Sequence, residues 1–309
     1  MREHRFAIAT AAATFVLLIV GSLVHGTGSS LACPDWPLCY GMLFPKMENG
    51  VQFEHSHRLV AATVGIMTVI LAVLLLRRKD RALRGLGLLA TFLVVFQGVL
   101  GGITVLYRLP RAISIAHLAT SMCFFSLTIL IAIRTGSSRV EPLISGSARR
   151  WLGIAWGAVL AQIVLGGLVR HTASGLACLD VPLCHGVLWP AASPERVQMI
   201  HRFGAILAGG VSVFAALRLR HDAKGAKALE SLSLLPIGLV VIQIALGVSS
   251  VLSLLDLGVI TTHLAVGAAL LGSFVLLWGL CPASSELGRE AAAEHGESGR
   301  ASARAVATS

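Results

Sequence analysis

Residues 27–41 read TGSSLACPDWPLCYG, and residues 172–186 read TASGLACLDVPLCHG. Both contain L-A-C-x-D-x-P-L-C-x-G, and the second copy begins 145 residues after the first. Chance does not produce a match of this length. The correspondence extends outward from it. His57-Arg58 pairs with His201-Arg202, Gln97 with Gln243, and His117 with His263. The chain therefore contains one unit twice.

The flanks say what the unit is. The chain is 55% hydrophobic and only 13% charged, whereas soluble domains carry about 25% charge. Eight apolar stretches have roughly the 20 residues needed to cross a hydrocarbon core as helix. They are Phe6–His25, His55–Leu76, Ala82–Leu106, Ala112–Arg134, Trp151–Arg170, Val197–Leu217, Ser231–Leu252 and Val259–Leu280. In lipid a spanning backbone must satisfy its own polar groups, so these are helices. Each unit holds four, and an even number of crossings gives both units the same orientation. The expected fold is an all-α integral membrane protein, with eight transmembrane helices in two tandem four-helix bundles. A pseudo-twofold axis along the membrane normal should relate them. The divisions are 1–134, a linker at 135–150, 151–281, and a tail at 282–309 expected to be disordered.

The net charge of +10 raises nucleic acid as a partner, but its distribution excludes it. With the N-terminus inside, 18 of the 25 basic residues fall in inner segments, among them Arg2, Arg5, Arg77–Arg84, Arg149, Arg150, Arg218 and Arg220. This positive-inside bias puts both termini in the cytoplasm of a multi-pass protein of the cell membrane. Met-Arg-Glu-His-Arg is a basic start like that of a signal peptide. The apolar run behind it is longer than the usual ~7–15 residues, and the fifth span is its counterpart. The first span is therefore expected to remain.

His57, His117, His201 and His263 each stand near the outer start of an even-numbered span, at similar depth. In an up-down-up-down bundle these spans are diagonal neighbours, and bundles hold cofactors between facing helices. One intramembrane histidine can be a hydrogen-bonding bridge. Four, paired by the repeat, point to the two axial positions of a haem iron in each half. A bare metal would want thiolates or carboxylates nearby, and Glu54 is the sole candidate. Glu54-x-x-His57-Arg58 faces Gln198-x-x-His201-Arg202 in the second unit. Glu54 lies one turn before His57 on the same face; it can ionise, and Gln198 cannot. Chemistry is thus expected in the N-terminal half and a passive or electron-transferring haem in the C-terminal half. The alternative for Glu54 is an interfacial carboxylate paired with Arg58. Arg58 and Arg202 could contact haem propionates or snorkel to the interface. His25, His55, His171 and His185 break the repeat and are assigned no ligand role.

Cys33/Cys39 and Cys178/Cys184 lie in outer loops, an oxidising setting that favours local disulfides; a redox role is the alternative. Cys123 and Cys281 are read as unpaired thiols. Glycines at 98, 101 and 102 and at 166 and 167 allow either close helix approach or room for a porphyrin face.

In combination, these motifs resemble the bacterial haem A synthase family, of the type with two loop cysteine pairs. The resemblance covers Phe6 to Leu280. It rests on E-x-x-H-R opening the second span, H-R opening the sixth, histidines opening the fourth and eighth, and the paired cysteines. It implies oxidation of the C8 methyl of haem O to a formyl group, giving haem A for terminal oxidases. By resemblance, His57 and His117 would bracket haem O, Glu54 would be the catalytic carboxylate, and His201 and His263 would hold a haem b cofactor. The implied partners are haem O as substrate, haem O synthase, and an unidentified membrane or soluble redox partner. Homo-oligomerisation is left open. Two other classes compete. One is a dihaem, quinol-linked electron-transfer protein, against which Glu54 argues. The other is a quinone-linked disulfide oxidoreductase, for which the usual C-x-x-C is missing.

Overall fold

The computed structural model describes residues 2–136 and 144–281 and is helical throughout its spanning segments. The helices are α1 (Arg2–Gly26), α2 (Val51–Leu76), α3 (Arg81–Leu106), α4 (Arg111–Thr135), α5 (Gly146–His171), α6 (Ser193–Asp222), α7 (Lys227–Leu232), α8 (Leu235–Leu252) and α9 (Leu257–Leu280). Taking α7 and α8 together, eight segments among the described residues are long and apolar enough to cross a membrane. The seventh expected span is thus broken near its start. Pro236 sits in the first turn of α8, where its missing N–H costs nothing and its ring ends any preceding helix.

Helix starts lie outside the apolar stretches because polar residues cap them. Asp80 accepts from Ala82 N and Leu83 N to open α3, Ser145 accepts from Ala148 N to open α5, and Asp256 accepts from Val259 N to open α9. Such caps satisfy N–H groups that have no intrahelical partner. The linker expected at 135–150 accordingly gives up 146–150 to α5. The remaining linker residues 137–143 and the tail 282–309 lie outside the described residues.

In the first half α1 packs on α2 and α4, and α3 on α2 and α4. In the second, α5 packs on α6 and α9, and α8 on α6 and α9. The diagonals α2/α4 and α6/α9 are therefore the expected ones. The halves meet through α1, α4, α5 and α9. The largest buried apolar cluster bridges them, with Leu18, Met122, Phe125, Leu152, Val159, Leu271 and Phe274. A polar bond joins the same seam, Trp156 Nε1 donating to Ser126 Oγ at 3.0 Å, while within the second half Arg149 donates to the Cys281 carbonyl at 2.9 Å. Large apolar side chains such as Phe92, Ile206, Leu207 and Val241 point outward, as lipid-facing residues do.

Candidate functional site

The cysteine motif folds alike in both loops. Asp35 accepts from Tyr40 N and Gly41 N, both at 2.7 Å. Asp180 accepts from His185 N at 2.9 Å and Gly186 N at 3.1 Å. To present those N–H groups, Tyr40, Gly41, His185 and Gly186 all take positive φ, which explains the glycine that ends the motif. The donors hold both carboxyls below the ordinary carboxylate range, Asp35 chiefly through Gly41 and Asp180 chiefly through His185. Cys33–Cys39 and Cys178–Cys184 are disulfides, buried under these turns. Cys123 and Cys281 carry no disulfide.

Each loop is bolted to the helix that follows it. Glu54, in the first turn of α2 and 4% exposed, accepts from Cys33 N at 2.8 Å and pairs with Arg58 at 2.6 Å. Arg58 also donates to the carbonyls of Asp35, Leu38 and Cys33. In the second half Gln198 Oε1 accepts from Cys178 N at 2.6 Å, while its amide donates to Gly175 O. Arg202 donates to the carbonyls of Asp180, Leu183 and Cys178. Both arginines thus tie the loop to the helix through loop carbonyls, contacts that the sequence does not show. The alternative reading of Glu54 as a partner of Arg58 describes a real contact. It leaves the difference between the halves intact, because Gln198 fills the same anchoring role without a charge.

The histidines lie six residues into α2, α4 and α9 and eight into α6. Because α2 and α6 begin before the apolar stretches, His57 and His201 lie about one turn further from their helix starts than the sequence suggested. The structure brings them together in the expected pairs. His57 lies close enough to His117 for electrostatic interaction, and His201 to His263. Each ring leans on a glycine of the preceding long helix. A Cβ at Gly21 would stand 3.2 Å from His57, at Gly101 3.6 Å from His117, at Gly166 3.2 Å from His201, and at Gly247 3.3 Å from His263. The four glycines are themselves related by the repeat. Gly101 and Gly166 belong to the patches noted above; Gly21 and Gly247 were invisible as ligand neighbours, because only packing shows which glycine a ring faces.

This donor set fits haem. Among the described residues, the groups of three or more potential metal ligands are Cys33/Cys39/His55 and Cys184/His185/Glu195, both dependent on disulfide-bonded sulfurs. Among the described residues, neither histidine pair belongs to such a group. Two imidazoles cannot fill the coordination sphere of a bare ion, whereas a porphyrin supplies the equatorial positions. Buried orphans point the same way, since His263 Nδ1 and Gln243 Oε1 have no partner. His25 and His171 do not join the pairs. Their rings meet at a 34° tilt, centroids 4.8 Å apart, at the C-terminal ends of α1 and α5.

Fold and site together define a polytopic membrane protein with two buried histidine pairs, one of them with a carboxylate a helical turn away. The family model of the COX15-CtaA cytochrome oxidase assembly proteins matches residues 4–275, and the chain belongs to that family. Similar proteins include a "Heme A synthase" of Bacillus licheniformis, 31% identical over 79% of this chain and 84% of that one. A "Heme A synthase" of Shouchella clausii is 30% identical over 80% and 86%, and one of Shewanella oneidensis 29% identical over 77% and 84%.

Proposed function

We infer that this chain is a haem A synthase, an oxidoreductase of the membrane that converts haem O to haem A. The observation that carries the reading is the pair of bis-histidine sites on one scaffold, of which only one has a carboxylate beside it. His57 and His117 would hold haem O, and His201 and His263 would hold haem b as cofactor. The units at 1–134 and 151–281 are thereby a substrate half and a cofactor half. The haem sites lie near the extracytoplasmic side, with both termini in the cytoplasm, following the positive-inside distribution. Haem O synthase is the partner that would deliver the substrate.

Haem supplies the redox chemistry when bound; the protein's own residues bind, orient and move protons. With water as the oxygen source, turning a methyl group into a formyl group would release four electrons, to be taken by the redox partner, and four protons, which must leave the site. Glu54 stands one turn from His57, is ionisable, and reaches the loop through Cys33 N. It would accept a proton at one carboxylate oxygen while Arg58 stays paired at Oε1. Gly21 and Gly101 keep the imidazoles upright by leaving space where a side chain would tilt them. The apolar helix faces exclude water.

Pigment extraction from purified protein, with chromatography and mass measurement, tests the reading. Haem O or haem A beside haem b is expected. Haem b alone, in both sites, would favour a dihaem electron carrier.

A further inference from the structure

The two histidines left out of the pairs meet a third basic residue. His25, Arg170 and His171 come together at the C-terminal ends of α1 and α5. Arg170 and His171 both lie close enough to His25 for electrostatic interaction. Ser30 Oγ stands 3.0 Å from His25 Nδ1. With the hydroxyl donating there, the ring proton sits on Nε2, which is buried and has no partner. Among the described residues the Arg170 side chain makes no hydrogen bond, and no carboxylate forms an ion pair with any of the three. A helix C-terminus favours a basic residue. That accounts for the residue types, but not for three of them converging without an acceptor. Donors held away from water without a partner are costly, so the cluster is built for a negative charge.

The repeat indicates which one. His25 and Arg170 are counterparts at the offset of 145, and so are Gly21 and Gly166. Gly21 faces His57, and Gly166 faces His201. His25 and Arg170 each stand one turn further along the helix, on the same face. In both halves, then, a donor lies one turn beyond the glycine that faces a paired histidine, at the end of the bundle where α2 and α6 begin. A haem held by that pair carries two propionates, and a carboxylate inside an apolar bundle needs a hydrogen-bonding partner. His171 has Gly26 as its counterpart, where a Cβ would collide with Leu257. The second imidazole beside His25 therefore comes from the other half.

We propose that His25 and Arg170 bind haem propionates. His25, held against His171, takes a propionate of the N-terminal haem, and Arg170 takes one of the C-terminal haem. This inference rests on the haem-binding reading above and deepens it. The substrate half meets its carboxylate with an imidazole. The cofactor half uses a guanidinium, whose planar fork matches a carboxylate at two points. The stronger hold thus falls on the haem that stays.

The test uses purified holoprotein with an excess of an apo-globin as haem acceptor, following the loss of each haem by its spectrum and mass. Arg170→Gln should accelerate loss of the C-terminal haem by about 10–100-fold, the range for one hydrogen bond to a charged group. It should also lower that haem's midpoint potential, because a propionate stripped of its cation leaves more negative charge near the iron and favours the ferric form. Arg170→Lys keeps the charge and should keep the potential near that of the wild type. His25→Phe keeps a ring against His171 but removes the N–H donor, and should accelerate loss of the N-terminal haem by a similar factor; His25→Gln, which retains a donor, should do so less. Wild-type protein reloaded with haem dimethyl ester, which has no free carboxylates, keeps the proposal testable where a variant folds poorly: the ester should leave faster than native haem. Unchanged loss rates and potential in Arg170→Gln and His25→Phe, or ester and native haem leaving at one rate, would overturn the proposal. Effects seen in nanodiscs containing phosphatidylglycerol but absent in pure phosphatidylcholine would overturn it too, since the anion would then be a lipid headgroup. Absence of haem from the wild type would instead sink the haem-binding reading itself.

Discussion

Glu54→Gln should separate binding from chemistry. The structure shows how little else the change touches. Glu54 makes two polar contacts, Cys33 N at 2.8 Å and Arg58 at 2.6 Å. An amide can keep the first, as Gln198 does for Cys178 N at 2.6 Å in the second half. The ion pair is lost, but Arg58 keeps the carbonyls of Asp35, Leu38 and Cys33. Deleting one partner of a buried pair costs about 3–5 kcal/mol when the other charge is stranded. Here it is not stranded, and a cost of about 1–2 kcal/mol follows from exchanging a charged for a neutral hydrogen bond. That is not enough to unfold a membrane bundle or to move the four histidines. Turnover should fall by about 10²–10⁴-fold, the usual contribution of a positioned general base. The assay is haem A formed per protein in cells supplied with haem O, with total bound haem measured alongside. A wild-type yield would reduce Glu54 to a loop anchor. A loss of bound haem in proportion to activity would make its role structural.

Three further outcomes follow from the geometry. His201→Ala and His263→Ala should each abolish the reduced low-spin signal of the C-terminal haem, and a normal signal in both variants would contradict that ligand set. Gly166→Val should displace His201, whose ring would lie 3.2 Å from the new Cβ, and lower haem content in the C-terminal half while leaving the N-terminal haem in place; haem per protein reads this directly. Asp35 and Asp180 have depressed folded-state pKa values. Their contribution to loop order is therefore present above the ordinary Asp value of about 3.9 and is lost as pH falls through the lower folded value. Protection of the Gly41 and Gly186 amides, measured against the unstructured exchange rate at each pH, should fall only on that acid side, and protection already lost at neutral pH would refute the assignment.

The helices and the histidine pairs were legible in the sequence. Lipid imposes a length and an apolar composition on any spanning helix, and the internal repeat supplied the alignment that a lone histidine lacks. The break before Pro236 is local too, but the apolar run continues through it and masks it. The roles of Arg58 and Arg202 were not legible. Sequence places an arginine after a ligand, but which oxygen it meets depends on how a distant loop closes over it. The same holds for His25 and His171, which look like unrelated breaks in the repeat until α1 and α5 bring their rings together.

By itself, the sequence determined that the chain crosses the membrane eight times, that it is built from one unit used twice, and that its polar exceptions are four matched histidines and one unmatched glutamate. These follow from periodicity, length and composition, which are properties of a chain read in one dimension. The tertiary structure alone decided that α2/α4 and α6/α9 are the diagonals and that the main apolar core lies between the halves. It also decided that a glycine faces every histidine and that a glutamine reaches three of the four. Those facts are set by side-chain contacts between helices far apart in sequence. Such contacts exist only once the helices have packed.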